Sequence, residues 1–245
     1  MLKIENLSAF YGKKQVLFDL TFELERGKFT AIIGANGSGK STLLSALTSQ
    51  ITYSGKILLG ERDISEIPIR ERAKMLSYLP QNLPPTQFSV RETVAFGREP
   101  YISFKLTDSD NEIIEKSIEK CGISHLKDKV LTEISGGERQ MAYLAMTLAQ
   151  DADVLLLDEP TTYMDAPHAR KFLDILKNAQ SDGKTVAAVM HDLTAAAKYA
   201  DNVILIDAGR IVFAGTRDDC IESGSIERVM GVEKYCIGNK NIVFV

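Results

Sequence analysis

Cysteine is scarce in this sequence and forms no motif. The three cysteines, Cys121, Cys220 and Cys236, are odd in number, lie far apart and include no CxxC pair. This pattern argues against a disulfide framework and against a zinc site, and reduced structural thiols are expected instead. Low-complexity tracts, internal repeats and linkers rich in proline and serine are also missing. For 245 residues this favours one large α/β domain or two small ones.

Long hydrophobic runs and an excess of basic residues are missing as well. No apolar stretch approaches the roughly 18–20 residues that a membrane-spanning helix needs. The N-terminal segment lacks an apolar signal core and a small-residue cleavage site. Lysine and arginine number 29 against 33 acidic residues, a net charge of −4. These features predict a cytoplasmic protein that does not bind nucleic acid.

The hydrophobic pattern of the N-terminal part predicts strands followed by a helix. Alternating apolar and polar residues indicate antiparallel strands over 2–7 and 16–24, with a turn at 10–14. A short, strongly apolar strand at 29–33 leads into a glycine-rich loop and a helix over 40–50. Further short strands are expected at 56–59 and 75–79.

The second half of the chain changes its periodicity twice. Between about Val90 and Gln150 the apolar spacing is helical, in the segments 89–97, 109–121 and 137–149, which predicts an inserted helical lobe. From Val154 onward strands and helices alternate, which indicates a mostly parallel, buried sheet. The elements expected there are 154–157, 166–180, 185–190, 193–199 and 203–206. The last residues predict a hairpin that turns at Gly238-Asn239.

A phosphate-binding motif lies between the strand at 29–33 and the helix that follows. The sequence from Gly34 to Thr42 reads GANGSGKST and matches G-x-x-x-x-G-K-[ST]. Its glycines let the backbone wrap around phosphates, and the N–H groups of the loop and helix then point at the anion. Lys40 would add a positive charge at the β- and γ-phosphates, and Ser41 a hydroxyl ligand for Mg²⁺. The candidate nucleotide-binding residues here are Gly34, Asn36, Gly37, Ser38, Gly39, Lys40, Ser41 and Thr42.

That motif alone leaves several classes of protein open. A chance glycine-rich turn is the structural alternative, and kinases, GTPases, ATPases and motor proteins all use such a loop.

Two carboxylates follow the buried strand at 154–157. Asp158 would stand at the edge of the sheet beside the phosphate loop and could hold Mg²⁺ through water, as a Walker-B aspartate does. Glu159 points in another direction and could polarise the attacking water as a general base. The alternative is that one or both carboxylates cap the helix near Asp165.

A further motif, ISGGERQ, occupies residues 134–140, and its Ser135 lies 158 − 135 = 23 residues before Asp158. Ser135 and Glu138 have the spacing of a capping box at a helix start. A capping box does not explain the consecutive glycines Gly136 and Gly137, which weaken a helix start unless something must approach closely. The bare N–H groups at this helix start would suit an anion.

With these motifs the sequence resembles the ATP-binding-cassette (ABC) ATPases over nearly its whole length. ISGGERQ is similar to the signature of that family, and Leu-Pro-Gln81 resembles its Q-loop. The segment 161–165, ending at Asp165, resembles the D-loop. His191 resembles the switch histidine, and Tyr11 falls where the family has an adenine-stacking aromatic residue. Taken singly, each has a plain alternative: a surface tyrosine, a polar strand end, a structural histidine or a helix cap.

The resemblance implies a P-loop ABC ATPase fold of class α/β in a single domain, 1–245. Its core, with an antiparallel β part, would comprise about 1–82 and 151–245, and a helical subdomain about 83–150. Two copies would form a head-to-tail homodimer, with ATP between the phosphate loop of one copy and Ser135–Glu138 of the other. Gln81 would contact Mg²⁺, His191 the γ-phosphate, and Asp165 the dimer interface. Glu138 stands where the family commonly has glutamine, so its carboxylate would have to face the ribose or pair with Arg139.

The stretches at 90–98, 144–150 and 161–163 look like the importer branch that serves ferric siderophores, haem and cobalamin. They imply an ATP-hydrolysing subunit on the inner face of the cell membrane, working with integral-membrane permease subunits and indirectly with a substrate-binding protein. Three alternatives stay open: a soluble ABC ATPase of DNA repair, translation or cofactor assembly, a non-hydrolysing ATP sensor, and a phosphate-transferring kinase.

Overall fold

The computed structural model describes residues 1–162, 164–237 and 241–245. The strands are β1 (Leu2–Tyr11), β2 (Lys14–Leu24), β3 (Phe29–Ile33), β4 (Thr52–Leu59), β5 (Arg62–Asp63), β6 (Leu76–Leu79), β7 (Val154–Asp158), β8 (Thr185–Val189), β9 (Asn202–Asp207), β10 (Arg210–Thr216), β11 (Lys234–Ile237) and β12 (Asn241–Phe244). The α-helices are α1 (Lys40–Leu47), α2 (Ile69–Met75), α3 (Val90–Ala95), α4 (Asp108–Lys120), α5 (Gly136–Ala149), α6 (Ala166–Ser181), α7 (Leu193–Tyr199), α8 (Arg217–Glu222) and α9 (Ser225–Met230).

Two sheets organise the fold. Strands β2, β1, β4 and β5 form an antiparallel sheet in that order. The second sheet has the order β10-β9-β3-β8-β7-β6, and all of its pairs are parallel except β9–β10. Helices α3, α4 and α5 lie between β6 and β7 in the chain. The predicted α/β class, with a mostly parallel core sheet, an antiparallel β part and inserted helices, is confirmed, while the subdomain limits at 83–150 stay a prediction.

The core has one apolar layer on each face of the six-stranded sheet. Because helices and the antiparallel sheet cover the two faces of the six-stranded sheet, every residue of β3, β7 and β8 is buried. Phe29 and Ile33 of β3 pack in the layer that contains Phe172 of α6. Ile32, which points to the opposite face, packs in the layer that contains Leu43 of α1 and Ile4 of β1. The C-terminal ends of the parallel strands therefore lie together along one edge of a buried sheet.

Several boundaries differ from the sequence-based expectations. The helix predicted over 40–50 ends at Leu47. There the Thr48 hydroxyl donates to the Leu44 carbonyl at 2.9 Å, and Ser49 has φ +58°, a conformation that cannot continue a right-handed helix. The turn expected at 10–14 is shorter, because Tyr11 pairs with Lys14 across the hairpin.

Other elements had no counterpart in the sequence-based prediction. Helix α2 has no buried residue, so it lacks the apolar stripe by which a helix is recognised in a sequence. Met75 closes α2 and does not begin the strand predicted at 75–79. Strand β10 and helices α8 and α9 were not expected, and each of these two helices has only six residues.

The predicted terminal hairpin is present as the antiparallel pair β11–β12. Its expected turn at Gly238-Asn239 lies outside the described residues. Cys121 and Cys220 are buried, and Cys236 is exposed. Across the part of the chain that the structure describes, no helix combines the length and hydrophobicity needed to cross a bilayer.

Candidate nucleotide-binding site

The phosphate loop connects β3 to α1, as predicted. Gly34, Gly37 and Gly39 have φ of +153°, +78° and +108°, values that favour glycine. A Cβ at Gly34 would collide with the carbonyl oxygen of Ile206, and one at Gly39 would lie 2.6 Å from a methyl group of Leu17. The loop therefore needs glycine at these positions for its own packing as well as for its conformation.

Lys40 is buried at the start of α1. Its Nζ donates to the carbonyl oxygens of Gly34 at 2.8 Å and Ala35 at 3.0 Å. Burial lowers the pKa of Lys40, and the carboxylates of Glu159 and Asp158 act against this shift. A cation held by loop carbonyls, rather than by a carboxylate, can turn to an incoming anion without breaking an ion pair.

The loop contains a buried hydroxyl, that of Ser38, without a hydrogen-bond partner among the described residues. Ser38 is 4% exposed. Buried hydroxyls normally have partners because an unpaired one costs about 1–3 kcal/mol. A buried hydroxyl without a partner, inside a glycine-lined loop, can donate a hydrogen bond to an oxygen atom of a ligand.

Asp158 ends β7 and meets Ser41 of α1, whose Oγ donates to Asp158 Oδ1 at 3.1 Å. Burial raises the pKa of Asp158, while the Ser41 hydrogen bond lowers it. Neither Asp158 nor Glu159 caps the helix near Asp165, so that alternative is wrong. A hydroxyl and a carboxylate oxygen side by side are ligands of the kind that Mg²⁺ prefers.

Glu159 is the meeting point of three strand ends. Strands β6, β7 and β8 are neighbours, and Gln81, Glu159 and His191 follow them by two, one and two residues. Gln81 Nε2 donates to Glu159 Oε2 at 2.5 Å, and His191 Nε2 lies 2.5 Å from Glu159 Oε1. The expectation that the His191 strand lies beside the Glu159 strand is confirmed.

The backbone and surroundings of Glu159 are also specialised. Its φ is +47°, a conformation uncommon outside glycine that often marks functional positions. Thr162 Oγ1 donates to its Oε2 at 3.3 Å, a contact that sequence reasoning did not find. Glu159, Gln81 and His191 line a pocket of about 820 Å³ together with Asn36 and Gly37. The structure thus brings the phosphate loop and these three side chains to one cavity.

Ser135 and Glu138 form the predicted capping box at the start of α5. Ser135 Oγ accepts from the Glu138 N–H at 3.3 Å, and Glu138 Oε2 accepts from the Ser135 N–H at 2.8 Å. These bonds lower the pKa of Glu138. The carboxylate is engaged by Ser135, and no bond to Arg139 is present in the described residues. Residues 135–138 are not among the described residues that line the 820 Å³ pocket.

The two signature glycines are not required by the packing of this chain. A Cβ at Gly136 or Gly137 would meet no described atom closer than 3.9 Å, and neither residue has a positive φ. This contrasts with Gly34 and Gly39, where the chain itself fills the space.

Tyr11 and Asp165 occupy exposed positions. Tyr11 ends β1 and is 51% exposed, a ring surface large enough for stacking on a planar ligand. Asp165 caps α6 by accepting from the His168 N–H at 2.9 Å, so its predicted alternative role as a helix cap is present. Sequence reasoning missed His168, although its position three residues after a cap was visible in the sequence.

Comparisons with known proteins agree with one another. A sequence model described as ABC transporter matches residues 17–162. The ferric enterobactin transport ATP-binding protein of Escherichia coli is 39% identical over 236 residues, covering 94% of this chain and 87% of that protein. The petrobactin import ATP-binding protein of Bacillus subtilis is 35% identical over 247 residues, 99% of this chain and 98% of that protein.

The fold also matches solved structures. A transporter described as metal-chelate type, in an inward-facing conformation, superposes with a TM-score of 0.84 at 25% identity, covering 100% of this chain and 97% of that chain.

Proposed function

This chain belongs to the ABC transporter family as an ATP-binding subunit with ATPase activity, and we propose that it energises a membrane importer of ferric siderophores or related metal chelates. One observation carries the proposal. Glu159 is held between Gln81 and His191 at the mouth of a phosphate loop with a buried lysine, in a chain that resembles siderophore-transport subunits along nearly its full length.

In the proposed site, residues 34–42 hold the phosphates of ATP. Among the described residues the Ser38 hydroxyl has no hydrogen-bond partner and the Lys40 ammonium is bound to loop carbonyls. The two groups supply a donor and a charge for phosphate oxygens. Tyr11, half exposed at the end of β1, stacks on the adenine. The remaining proposed contacts come from the loop backbone and from Asn36, Ser41 and Thr42.

Ser41, Gln81 and Asp158 are the proposed ligands for Mg²⁺, directly or through water. The Ser41 and Asp158 oxygens already lie 3.1 Å apart. Gln81 uses its amide nitrogen on Glu159, which leaves its amide oxygen as an acceptor for the metal or its water. When bound, the ion neutralises negative charge on the phosphates.

Glu159 is the proposed general base for the attacking water. Gln81 and His191 hold its two oxygens from opposite sides, so the carboxylate is fixed before ATP arrives. A general base lowers the activation free energy of hydrolysis, and much of that effect comes from holding the base in a fixed orientation. His191, which follows the neighbouring strand β8, is the proposed contact to the γ-phosphate.

A second copy of the chain completes the proposed site. Gly136 is exposed and Gly137 is half-buried, so there is room for a ligand at the α5 N-terminus, whose N–H groups favour an anion. In a head-to-tail homodimer this space takes the ATP bound to the partner, and Asp165 lies at the interface. Glu138 stays directed to the Ser135 N–H, which draws its charge away from the incoming phosphates.

The permease is proposed to dock in a groove of about 680 Å³ between α2 and the segment 96–102. Ile69 and Phe96 line it and are 76% and 48% exposed, so apolar surface is available on both of its walls. Docking there places the chain at the inner face of the cell membrane, indirectly coupled to a substrate-binding protein.

The test is uptake by a strain deleted for this chain and complemented with wild type, Glu159→Gln or Glu61→Gln. Glu61 lies exposed in the turn between β4 and β5 and serves as the matched carboxylate control. Labelled ferric siderophores, haem and cobalamin are offered separately. We expect uptake of one class to fall to background in the deletion strain and to return with wild type and Glu61→Gln only. Equal uptake of every compound with and without the chain would remove the importer proposal.

A further inference from the structure

His168, in the first turn of α6, binds one oxygen of Asp165 twice. Its backbone N–H donates to Asp165 Oδ1 at 2.9 Å, and its ring Nδ1 lies 2.6 Å from the same oxygen. A ring nitrogen this close to a carboxylate oxygen carries the proton, because two acceptors would repel each other. The two bonds fix the rotation of the Asp165 carboxylate.

The other oxygen of Asp165 is left for an outside partner. Within 1–162, 164–237 and 241–245, Oδ2 of Asp165 accepts no hydrogen bond, and the side chain is 63% exposed. The helix cap itself needs only the backbone N–H of residue 168, which almost any residue would supply. The bond from the imidazole to Asp165 is therefore not needed for capping, and its effect is to fix the orientation of the carboxylate.

The ring also lies near the start of the signature helix, α5. A Cβ at Gly137 would be 3.9 Å from Cγ of His168, so the ring stands beside the first turn of α5. Further along α5, Gln140 Nε2 donates to the carbonyl oxygen of Pro160 at 3.0 Å. Pro160 is thus hydrogen-bonded to α5, and the ring of His168 lies near the start of the same helix.

We propose that His168 is a positioning residue for the composite ATP site. By fixing the Asp165 carboxylate while its own ring lies near the start of α5, it makes the D-loop carboxylate and the signature helix meet a second copy of the chain as one unit. His168 can have this role only in a head-to-tail dimer, so the proposal rests on the proposed function.

Two substitutions separate the ring contact from helix capping. His168→Asn keeps an amide nitrogen near the position of Nδ1, whereas His168→Gln moves it to the position of Nε2. Both keep the backbone cap. Each is made in Glu159→Gln, which blocks turnover and is expected to accumulate the ATP-bound dimer. Light scattering then measures the ATP concentration that gives half-maximal dimer, and fluorescent ADP measures binding to the monomer.

We expect His168→Gln to raise the ATP concentration for half-maximal dimerisation about fivefold, the factor expected for one hydrogen bond. His168→Asn should stay within about twofold of its parent, and ADP binding should be unchanged in both. If all three proteins dimerise at the same ATP concentration, or if ADP binding weakens as much as dimerisation does, the proposed role of His168 is wrong and the proposed dimer is unaffected. If the Glu159→Gln parent does not dimerise with ATP, both this role and the proposed dimer are wrong.

Discussion

Asp158 is a residue in which stability and function oppose each other. Burial raises its pKa, and the Ser41 hydroxyl only partly compensates. A carboxyl whose pKa is higher in the folded state binds its proton more tightly there than in the unfolded chain. The stability it contributes is present at low pH and is lost as the pH rises through the folded pKa. At neutral pH the ionised Asp158 therefore destabilises the nucleotide-free protein.

Asp158→Asn should accordingly stabilise the protein while destroying its activity. Without nucleotide we expect the melting temperature at pH 7 to rise by about 2–4 °C, because the amide is neutral and can still accept from Ser41. The gain should shrink as the pH falls through the raised pKa of Asp158, because the carboxyl of the wild type is then protonated as well. Turnover of ATP should fall to background through loss of a proposed metal ligand. Thermal melts between pH 4 and 8 and an ATPase assay check this, and a lower melting temperature at every pH would contradict it.

At the scale of elements, two of the ion pairs that helix α4 forms differ in burial. Arg98 Nε lies 2.9 Å from Asp110 Oδ1, with side chains 6% and 9% exposed. Arg91 Nε lies 2.8 Å from Glu115 Oε1, with side chains 35% and 45% exposed. Removing one partner of the buried pair leaves a charge without water, whereas the exposed charges stay solvated. Similar distances should therefore correspond to different free energies.

We expect Asp110→Ala to lower the free energy of unfolding by about 3 kcal/mol, and Glu115→Ala by less than about 1 kcal/mol. Urea unfolding at pH 7 measures both. Equal losses would mean that burial does not distinguish the two pairs.

The pH dependence of Asp110 has the opposite sign to that of Asp158. Hydrogen bonds from Thr107, with help from Arg98, lower the pKa of Asp110 from 3.8 to about 2. Because the folded pKa is the lower one, the stabilisation is complete above the ordinary pKa and is lost as the pH falls through the folded value. The difference between wild type and Asp110→Ala should therefore shrink between pH 4 and pH 2.

At the scale of the whole molecule, the proposed permease groove and strand β10 lie at opposite edges of the core sheet. The groove is bounded by α2, which leads directly into β6, and β6 and β10 are the two edge strands. Phe96 in the groove and Val212 on β10 are both apolar and each 48% exposed. They form a matched pair for testing which edge carries the docking surface.

Phe96→Asp should abolish transport and co-purification with the membrane subunits, because docking would bury an unpaired charge. Val212→Asp should leave both unchanged. Melting temperatures confirm that each variant folds, and uptake and affinity pull-down measure the effect. If both variants lose transport equally, or if neither loses it, the groove that Phe96 lines is not the docking surface.

Much of this site could be predicted because its motifs are local. The phosphate loop is contiguous from Gly34 to Thr42, and the capping box of Ser135 and Glu138 depends on a spacing of three residues. Helix α2 and strand β10 could not be predicted in the same way. Helix α2 has no buried residue, and β10 has none either. Neither element therefore shows the strong contrast between a buried apolar face and an exposed polar face by which an element is recognised in a sequence.

The sequence by itself determined which chemistry is available: glycines and a lysine for phosphates, a carboxylate pair after a buried strand, and a histidine after the next. Only the tertiary structure decided which of these groups meet. Ser41 reaches Asp158 across 117 residues of chain, and Gln81 reaches Glu159 across 78. Those contacts depend on the order of the parallel strands, which crossover connections set far from the residues themselves. His168 and Asp165 are close in sequence, yet the position of the His168 ring near Gly137 depends on how the tertiary fold brings the start of α6 near the start of α5.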